Sequence, residues 1–443
     1  MSAPLPPTRL VVPFVTGLAL LLSALLLPAP AQAANRVTPG DFTGYGFDQC
    51  VTPTQSAMDA WLRSSPFWAV GIYTSGDSRG CRTQPNQTPQ WVETQLRNGW
   101  RLLPITLGPQ ASCNPSFPRY RDDVRINPSS ANNYAAAKAQ ARAEAVDAVA
   151  AARRLGIGPG STLWYDMEAY DISITSCRES ALHFTSAWTR KLHRLDYVSG
   201  VYSSAGSGLK AMDDARVQRP DAFTEPDQIW IARWDGVANT STSYLRSDGW
   251  MPGGRMKQYR GGHTETWGSV TINIDSNWLD LGRGSTAPAE PDHCGGVRLN
   301  FSSYAQIGSG ATGPLVRAAQ CLLKGENLYS GPMDGVLDGE VMDAVLDWRA
   351  AHGMPSDRWV GSRVWVGLHS PTTAKLIKVG ARGERVRKLQ RALNAVSGGS
   401  VSVTGVLDRD TAASVASYQR RVGLQQSGVV TPETWQKLGR GIL

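Results

Sequence analysis

The chain has few histidines and none of the common zinc-ligand motifs. It contains six histidines, no His-Glu-x-x-His and no Cys-x-x-Cys pair, so zinc chemistry is set aside and no metal or cofactor is expected. It has no run of Lys or Arg either. The formal charge of +8 is spread along the sequence, which suits an anionic wall or membrane surface and gives no reason to expect nucleic acid as a partner. A nucleophile motif of the peptidase or amidase kind is also missing, which makes that class the weakest candidate. Long apolar runs are confined to one place, Leu10 to Leu27, preceded by Arg9 and followed by Pro28-Ala29-Pro30 and Ala31-Gln32-Ala33-Ala34. That pattern predicts a secretory signal peptide over residues 1–33, and its A-x-A site argues against an uncleaved anchor. With no cysteine at the cleavage site and no later span, the expected mature chain is secreted, extracellular and cell-wall associated, without stable membrane insertion.

What cysteine there is comes in an even number: Cys50, Cys81, Cys113, Cys177, Cys294 and Cys321. In an exported chain this predicts disulfides. Cys294 and Cys321 are expected to pair. The other four allow three pairings, of which Cys81 with Cys113 is favoured because the two sit in successive loops.

The most informative positive feature is Asp166 and Glu168 in the run Ser161-Thr162-Leu163-Trp164-Tyr165-Asp166-Met167-Glu168. Residues at i and i+2 of a strand leave one face together, with Cα atoms roughly 6–7 Å apart. Two carboxyls that close push one pKa upward, and one is then kept protonated as an acid near neutral pH. The competing interpretation is a solvated edge strand, but Leu163, Trp164, Tyr165 and Met167 are too apolar for an exposed ribbon.

Around this pair the chain divides. A break at Gly282 to Asp292, rich in Gly, Pro, Ser and Ala, predicts a linker over 283–296, between a large domain over 34–282 and a C-terminal part. The C-terminal part repeats without a gap. Gly310, Gly313, Val316, Arg317, Gln320 and Leu323 recur as Gly380, Gly383, Val386, Arg387, Gln390 and Leu393, and Gly335-Val336-Leu337-Asp338 recurs as Gly405-Val406-Leu407-Asp408. Helical spacing in each copy predicts two small all-α three-helix modules, 297–370 and 371–443. These copies resemble the bacterial peptidoglycan-binding module, and the second matches at Gly380, Gly383, Val386, Leu389, Gln390, Leu393, Thr411, Tyr418, Gln419, Trp435 and Leu438. The first departs from the pattern with Val341, Arg349, Arg358 and Val364, so binding is assigned to the second.

Within 35–282, eight short apolar segments alternate with helical stretches: Tyr45 to Asp48, Ala69 to Tyr73, Arg101 to Thr106, Thr162 to Glu168, Val198 to Tyr202, Gln228 to Arg233, Met256 to Tyr259 and Thr271 to Asp275. This predicts an α/β fold, a (β/α) barrel of TIM type, irregular over its last three strands, which leave little room for helices. Catalytic groups then belong at the C-terminal strand ends, and Asp48, Asp166, Glu168, Gln258 and Asp275 are all placed there.

The order Gly46-Phe47-Asp48, Trp164 to Glu168, Gly200-Val201-Tyr202, Ile229 to Ala232, Gln258-Tyr259 and Ile272 to Asp275 resembles the Chalaropsis-type lysozymes, which are secreted muramidases. It is more similar still to a bacterial glycoside-hydrolase-like domain of unknown function. Gln49-Cys50 and Lys257 depart from the lysozyme pattern. The resemblance implies a glycoside hydrolase acting on peptidoglycan or a related wall glycan. Glu168 is the expected general acid, Asp166 the group that orients the 2-acetamido substituent, and Asp48 and Asp275 the groups that bind hydroxyls and tune charge. Tyr165, Tyr202, Trp230, Trp234 and Gln258 are candidates for lining subsites, against ordinary core packing for each aromatic. The alternative is a non-catalytic wall-binding protein that keeps the glycosidase fold.

Overall fold

The structure is a computed structural model that describes residue 1 and residues 37–371, 374–399 and 401–443; the expected signal peptide lies outside the described residues. From residue 37 onward the described residues form one compact unit.

Strands β1 (Phe42–Asp48), β2 (Ala69–Ser75), β3 (Arg101–Thr106), β4 (Thr162–Asp166), β5 (Val198–Ser204), β6 (Gln228–Ala232), β7 (Gly254–Trp267) and β8 (Val270–Leu281) close into a barrel in sequence order. Helices α1 (Gln55–Ser64), α2 (Pro89–Asn98), α3 (Ala131–Arg154), α4 (Thr175–His193) and α5 (Gly208–Gln218) follow the first five strands. Local chemistry explains where the helices begin and end. The Thr54 and Thr88 hydroxyls accept from the Ala57 and Trp91 amides, and Gly99, at φ 95°, closes α2. In α3 the buried Ala137, Ala141, Ala145, Ala148 and Ala152 form a smooth stripe that fits against the barrel.

The barrel interior alternates with its outside, as strand geometry requires. Trp164 and Trp230 meet edge to face at 5.7 Å, beside Leu103, Ile105, Met256, Leu279 and Leu281. Gly200 makes this possible, because a Cβ there would lie 2.3 Å from the Trp164 ring. The irregularity expected late in the barrel takes a definite form. Strand β7 is parallel to β6, whereas β8 turns back and pairs antiparallel with both β7 and β1.

No barrel helix follows β6 or β7, and the C-terminal repeat packs against β1, β8 and the turn before β2. After a short β9 (Ile307–Gly308), helices α6 (Pro314–Gly325) and α7 (Gly339–Ala351), β10 (Trp359–Val360) and α8 (Ser362–Leu368) form the first copy. Helices α9 (Glu384–Ser397), α10 (Arg409–Arg421) and α11 (Pro432–Gly439) form the second. Arg409 lies 4.4 Å over the outward-facing Trp278 ring, and Arg382 pairs with Asp41 at 3.2 Å. The buried Lys378 Nζ donates to the Ser65 and Phe67 carbonyls at 3.0 and 2.9 Å. A Cβ on Gly380 would strike Phe42 at 2.5 Å, so the approach needs glycine.

The repeat motif is a turn staple. Gln320 and Gln390 each accept from a glycine amide, Gly335 and Gly405, at 2.9 Å in the turn that ends with the next helix's Asp cap. In the second copy Gln419 does the same for the next turn, accepting from Gly428 N and donating to Val429 O. In the first copy Arg349 replaces Gln419 and reaches Pro355 O, Asp357 and Trp359 O, so the departure is absorbed structurally.

Cys294 pairs with Cys321 as expected. The Cys81–Cys113 expectation is wrong. The bonds are Cys50–Cys81 and Cys113–Cys177, with Cα separations of 5.6 and 5.9 Å. Each ties the segments following two neighbouring strands, β1 with β2 and β3 with β4. Loop adjacency alone permits either arrangement, and the structure joins the segments after β1 and β2 and those after β3 and β4.

Candidate active site

Asp48, Asp166 and Glu168 converge on one mouth of the barrel, with Asp275 beside them. Asp48 is the last residue of β1 and points inward because Gly71 on β2 leaves room; a Cβ there would lie 2.5 Å from the Asp48 Cβ. Its carboxylate accepts from Asn277 Nδ2 at 2.6 Å and Gln258 Nε2 at 3.2 Å. Asp275 does not end β8 as expected. It lies inside that strand opposite Asp48, and it reaches the mouth because β8 runs antiparallel. Its Oδ2 accepts from Gln258 Nε2 at 3.2 Å, and its Oδ1 accepts from the Gly262 amide at the irregular stretch of β7.

Gln258 is the hub of the mouth. Its amide nitrogen reaches both Asp48 and Asp275, and its Oε1 accepts from Tyr202 Oη at 3.1 Å and Trp234 Nε1 at 2.9 Å. Trp234 stands 67% exposed, and its ring lies against Gly261, where a Cβ would clash at 2.3 Å. The loop that carries Trp234 is tied down by Lys257, whose buried Nζ reaches Asp235, Asn239 and Ser241 O. The two departures from the lysozyme pattern are therefore structural: Lys257 ties this loop, and Gln49-Cys50 ends in a Gln49 bond to Gly71 O and the Cys50 disulfide.

Asp166 ends β4 and is buried. Tyr73 Oη donates to its Oδ2 at 3.3 Å, and its Oδ1 has no hydrogen-bond partner among the described residues. Glu168 follows just beyond the strand and is only partly buried. Gln110 locks the local backbone by donating to Asp166 O at 2.7 Å and accepting from Glu168 N at 2.8 Å.

Burial dominates the electrostatics. It pushes the Asp48 carboxyl up to about 8, helped by the charge of Asp275. Burial raises Asp166 well above the usual carboxylate range, with Glu168 and Asp48 adding to the effect. Glu168 is raised by burial against the opposing pull of Arg119, and Asp275 is raised by burial against its bond from Gly262. Like charges crowded into a poorly solvated mouth hold protons more tightly than they would in water.

Two cavities meet at Glu168. One, of about 410 Å³, is lined by Tyr202, Trp234, Tyr244 and Arg233. The other, of about 320 Å³, is lined by Asp48, Asp275, Tyr73, Arg119 and the Cys50–Cys81 disulfide. Glu168 belongs to both.

Two expected lining residues are elsewhere. Tyr165 faces outward from β4, fully buried against Phe184 and Trp188 of α4, with its hydroxyl on Pro109 O. Strand alternation places it opposite Asp166, on the wrong side of the sheet. Trp230 points inward but forms the layer beneath Tyr202, 5.5 Å away, and donates to Asn277 Oδ1 at 2.8 Å. It supports the mouth without lining it. The sequence reading missed Tyr73, Gln110, Arg119 and Asn277. Tyr73, near the end of β2, and Asn277, two residues from Asp275 on one strand face, carried a readable signal. Gln110 and Arg119 sit in the β3–α3 loop, where no periodicity applies.

Residues 59–279 match the family model of the Rv2525c-like, glycoside hydrolase-like domain. The barrel is a glycoside hydrolase-like domain of that family. Residues 382–438, in the second repeat, match the model described as "Putative peptidoglycan binding domain". Comparison with curated proteins gave no match. Solved structures similar to this chain include an uncharacterized protein of B. stearothermophilus, at 19% identity and TM-score 0.34, covering 53% of this chain and 95% of that one. The Mycobacterium tuberculosis Tat-secreted protein Rv2525c, solved in complex with L-tartrate, has 12% identity and TM-score 0.34, with coverage of 54% and 95%. The modular autolysin LytC from Streptococcus pneumoniae has 11% identity and TM-score 0.33, with coverage of 54% and 47%. A glycoside hydrolase-like barrel joined to a peptidoglycan-binding module is an architecture directed at cell-wall glycan.

Proposed function

We propose that this protein is exported by removal of residues 1–33 and that its glycoside hydrolase-like barrel cleaves a β-linked amino-sugar glycan of the cell wall, peptidoglycan, in the manner of a muramidase. The observation that carries this reading is the position of Glu168. It is the acid common to both cavities, so a glycan laid across the mouth would bring a glycosidic oxygen to it. Burial raises its pKa above that of an ordinary carboxylate, the direction a general acid requires.

In this mechanism Glu168 gives its proton to the leaving oxygen as the C1–O bond breaks. The carbonyl oxygen of the 2-acetamido group forms the new bond to C1, and Asp166 orients that group. Water then attacks C1, giving its proton to Glu168 and restoring the acetamido group. Asp48 and Asp275, fixed by Gln258 and Asn277, bind hydroxyls and set the local charge. Tyr202 and the exposed Trp234 offer ring faces to a sugar in the larger cavity.

Purified full-length protein should release new reducing ends from peptidoglycan, and Glu168→Gln should lower that rate by about 10²-fold or more. A second reading, non-catalytic glycan binding, draws on the way Asp48, Asp166 and Asp275 are already held by protein hydrogen bonds. Sedimentation with the wall polymer and no product at any pH tested would select it.

A further inference from the structure

Arg119 lines the smaller cavity and makes no salt bridge among the described residues. It lies on the β3–α3 loop and is exposed. Among the described residues its guanidinium makes one hydrogen bond, from Nη1 to Ser78 O at 3.0 Å. The contrast with Arg82 nearby is sharp, since Arg82 is paired with both Asp122 and Asp123 at 3.1 Å.

The position of Arg119 is nonetheless fixed. The guanidinium sits 4.9 Å over the Phe117 ring. The Arg119 and Tyr120 amides both donate to Asp123 Oδ2, at 2.7 and 2.9 Å, and Tyr120 Oη donates to Gly80 O at 2.8 Å. Gly80 leaves space for the guanidinium, because a Cβ there would lie 3.0 Å from Nη1. The Cys50–Cys81 and Cys113–Cys177 bonds fasten the two loops involved. An arginine held this firmly, with donors to spare and a cavity before it, is arranged to meet a planar anion from outside.

The neighbouring acids oppose this less than their number implies. Asp48, Glu168 and Asp275 line the same cavity, and burial keeps each of them more protonated than in water, so an entering carboxylate meets less repulsion than the residue types imply.

We propose that Arg119 determines specificity in this cleft, and that the sugar seated in the smaller cavity carries a carboxylate substituent. This rests on the cleft being the glycan site proposed above. The carboxylate has two possible sources in the wall polymer: the lactyl ether of muramic acid freed of its peptide, or the peptide attached there. Neutral chito-oligosaccharide offers neither.

The test uses full-length oxidised protein carrying Glu168→Gln, titrated calorimetrically with a peptide-free glucosaminyl-muramic oligosaccharide, its peptide-bearing form and a chito-oligosaccharide of equal length. Binding should favour a carboxylate-bearing glycan over the neutral one on the order of tenfold. Adding Arg119→Gln should erase the preference, and Arg119→Lys should keep part of it. Preference for the peptide-free or for the peptide-bearing glycan identifies the source. Thermal unfolding of each variant checks that the fold is intact. An unchanged preference in Arg119→Gln, or a change confined to the pH profile of hydrolysis in the Glu168 background, overturns the proposal and leaves Arg119 as a tuner of Glu168. Arg119-dependent binding without hydrolysis by unsubstituted protein would instead remove the hydrolase reading and leave this one standing.

Discussion

Asp48 has a proton affinity that couples the mouth to stability. Its pKa is 3.8 in ordinary surroundings and about 8 in the folded protein, so the folded state binds the proton more tightly. The corresponding stability is fully present below 3.8 and is lost as the pH rises toward about 8. Asp48→Asn keeps an acceptor for Asn277 and Gln258 and cannot ionise. It should unfold at a Tm several degrees above the unsubstituted protein near pH 8, with the gap closing in acid, because about 1 kcal/mol moves a domain of this size by roughly 2–4 °C. Calorimetric scans across that range would show it, and an equal Tm at every pH would refute it. The acids themselves were legible in the sequence because carboxylates inside apolar strands have few structural reasons to be there. Their partners were less so: Gln110 and Arg119 come from a loop whose path depends on two disulfides and Asp123, and no local pattern records that.

At the level of elements, the eight strands were readable from alternation and spacing, whereas the direction of β8 was not. A strand pattern is the same read in either direction, and only the short connection after Trp267 hinted at a hairpin. The error mattered little for Asp275, since reversing the strand moved it from the strand's end to its interior and still put it at the mouth. Tyr165 shows the opposite case, where strict alternation from Asp166 already placed it outside. Packing inside the barrel makes Gly200 a sharp test. Gly200→Ala would press a methyl group into the Trp164 ring and should destabilise the fold by about 1–3 kcal/mol through overpacking. Urea unfolding with an unchanged slope would measure this; a shift within experimental error would mean that the Trp164–Trp230 layer yields easily.

On the scale of the whole molecule, the repeats were legible as copies but their attachment was not, because the linker composition predicts separation. The structure instead packs the second copy against β1, β8 and the turn before β2. Lys378 is the deepest link. Burial alone holds its pKa well below the usual range, and its amine serves two backbone carbonyls. Lys378→Ala should cost about 1–3 kcal/mol for each unsatisfied carbonyl. It should also split thermal unfolding into separate transitions for barrel and repeat, with faster proteolysis in the 283–296 stretch. One unaltered transition would show that the remaining contacts suffice.

That attachment has a consequence for how the protein would meet its wall. A binding module on a loose leash lets its partner domain search all orientations around the point of grip. Here the grip and the cleft turn together, so a strand held by the second repeat presents its neighbours to the barrel mouth at one set angle. If the second repeat grips glycan and the cleft acts on it as proposed, the molecule would work as a caliper, responsive to how the glycan strands are spaced and aligned as well as to what they are made of.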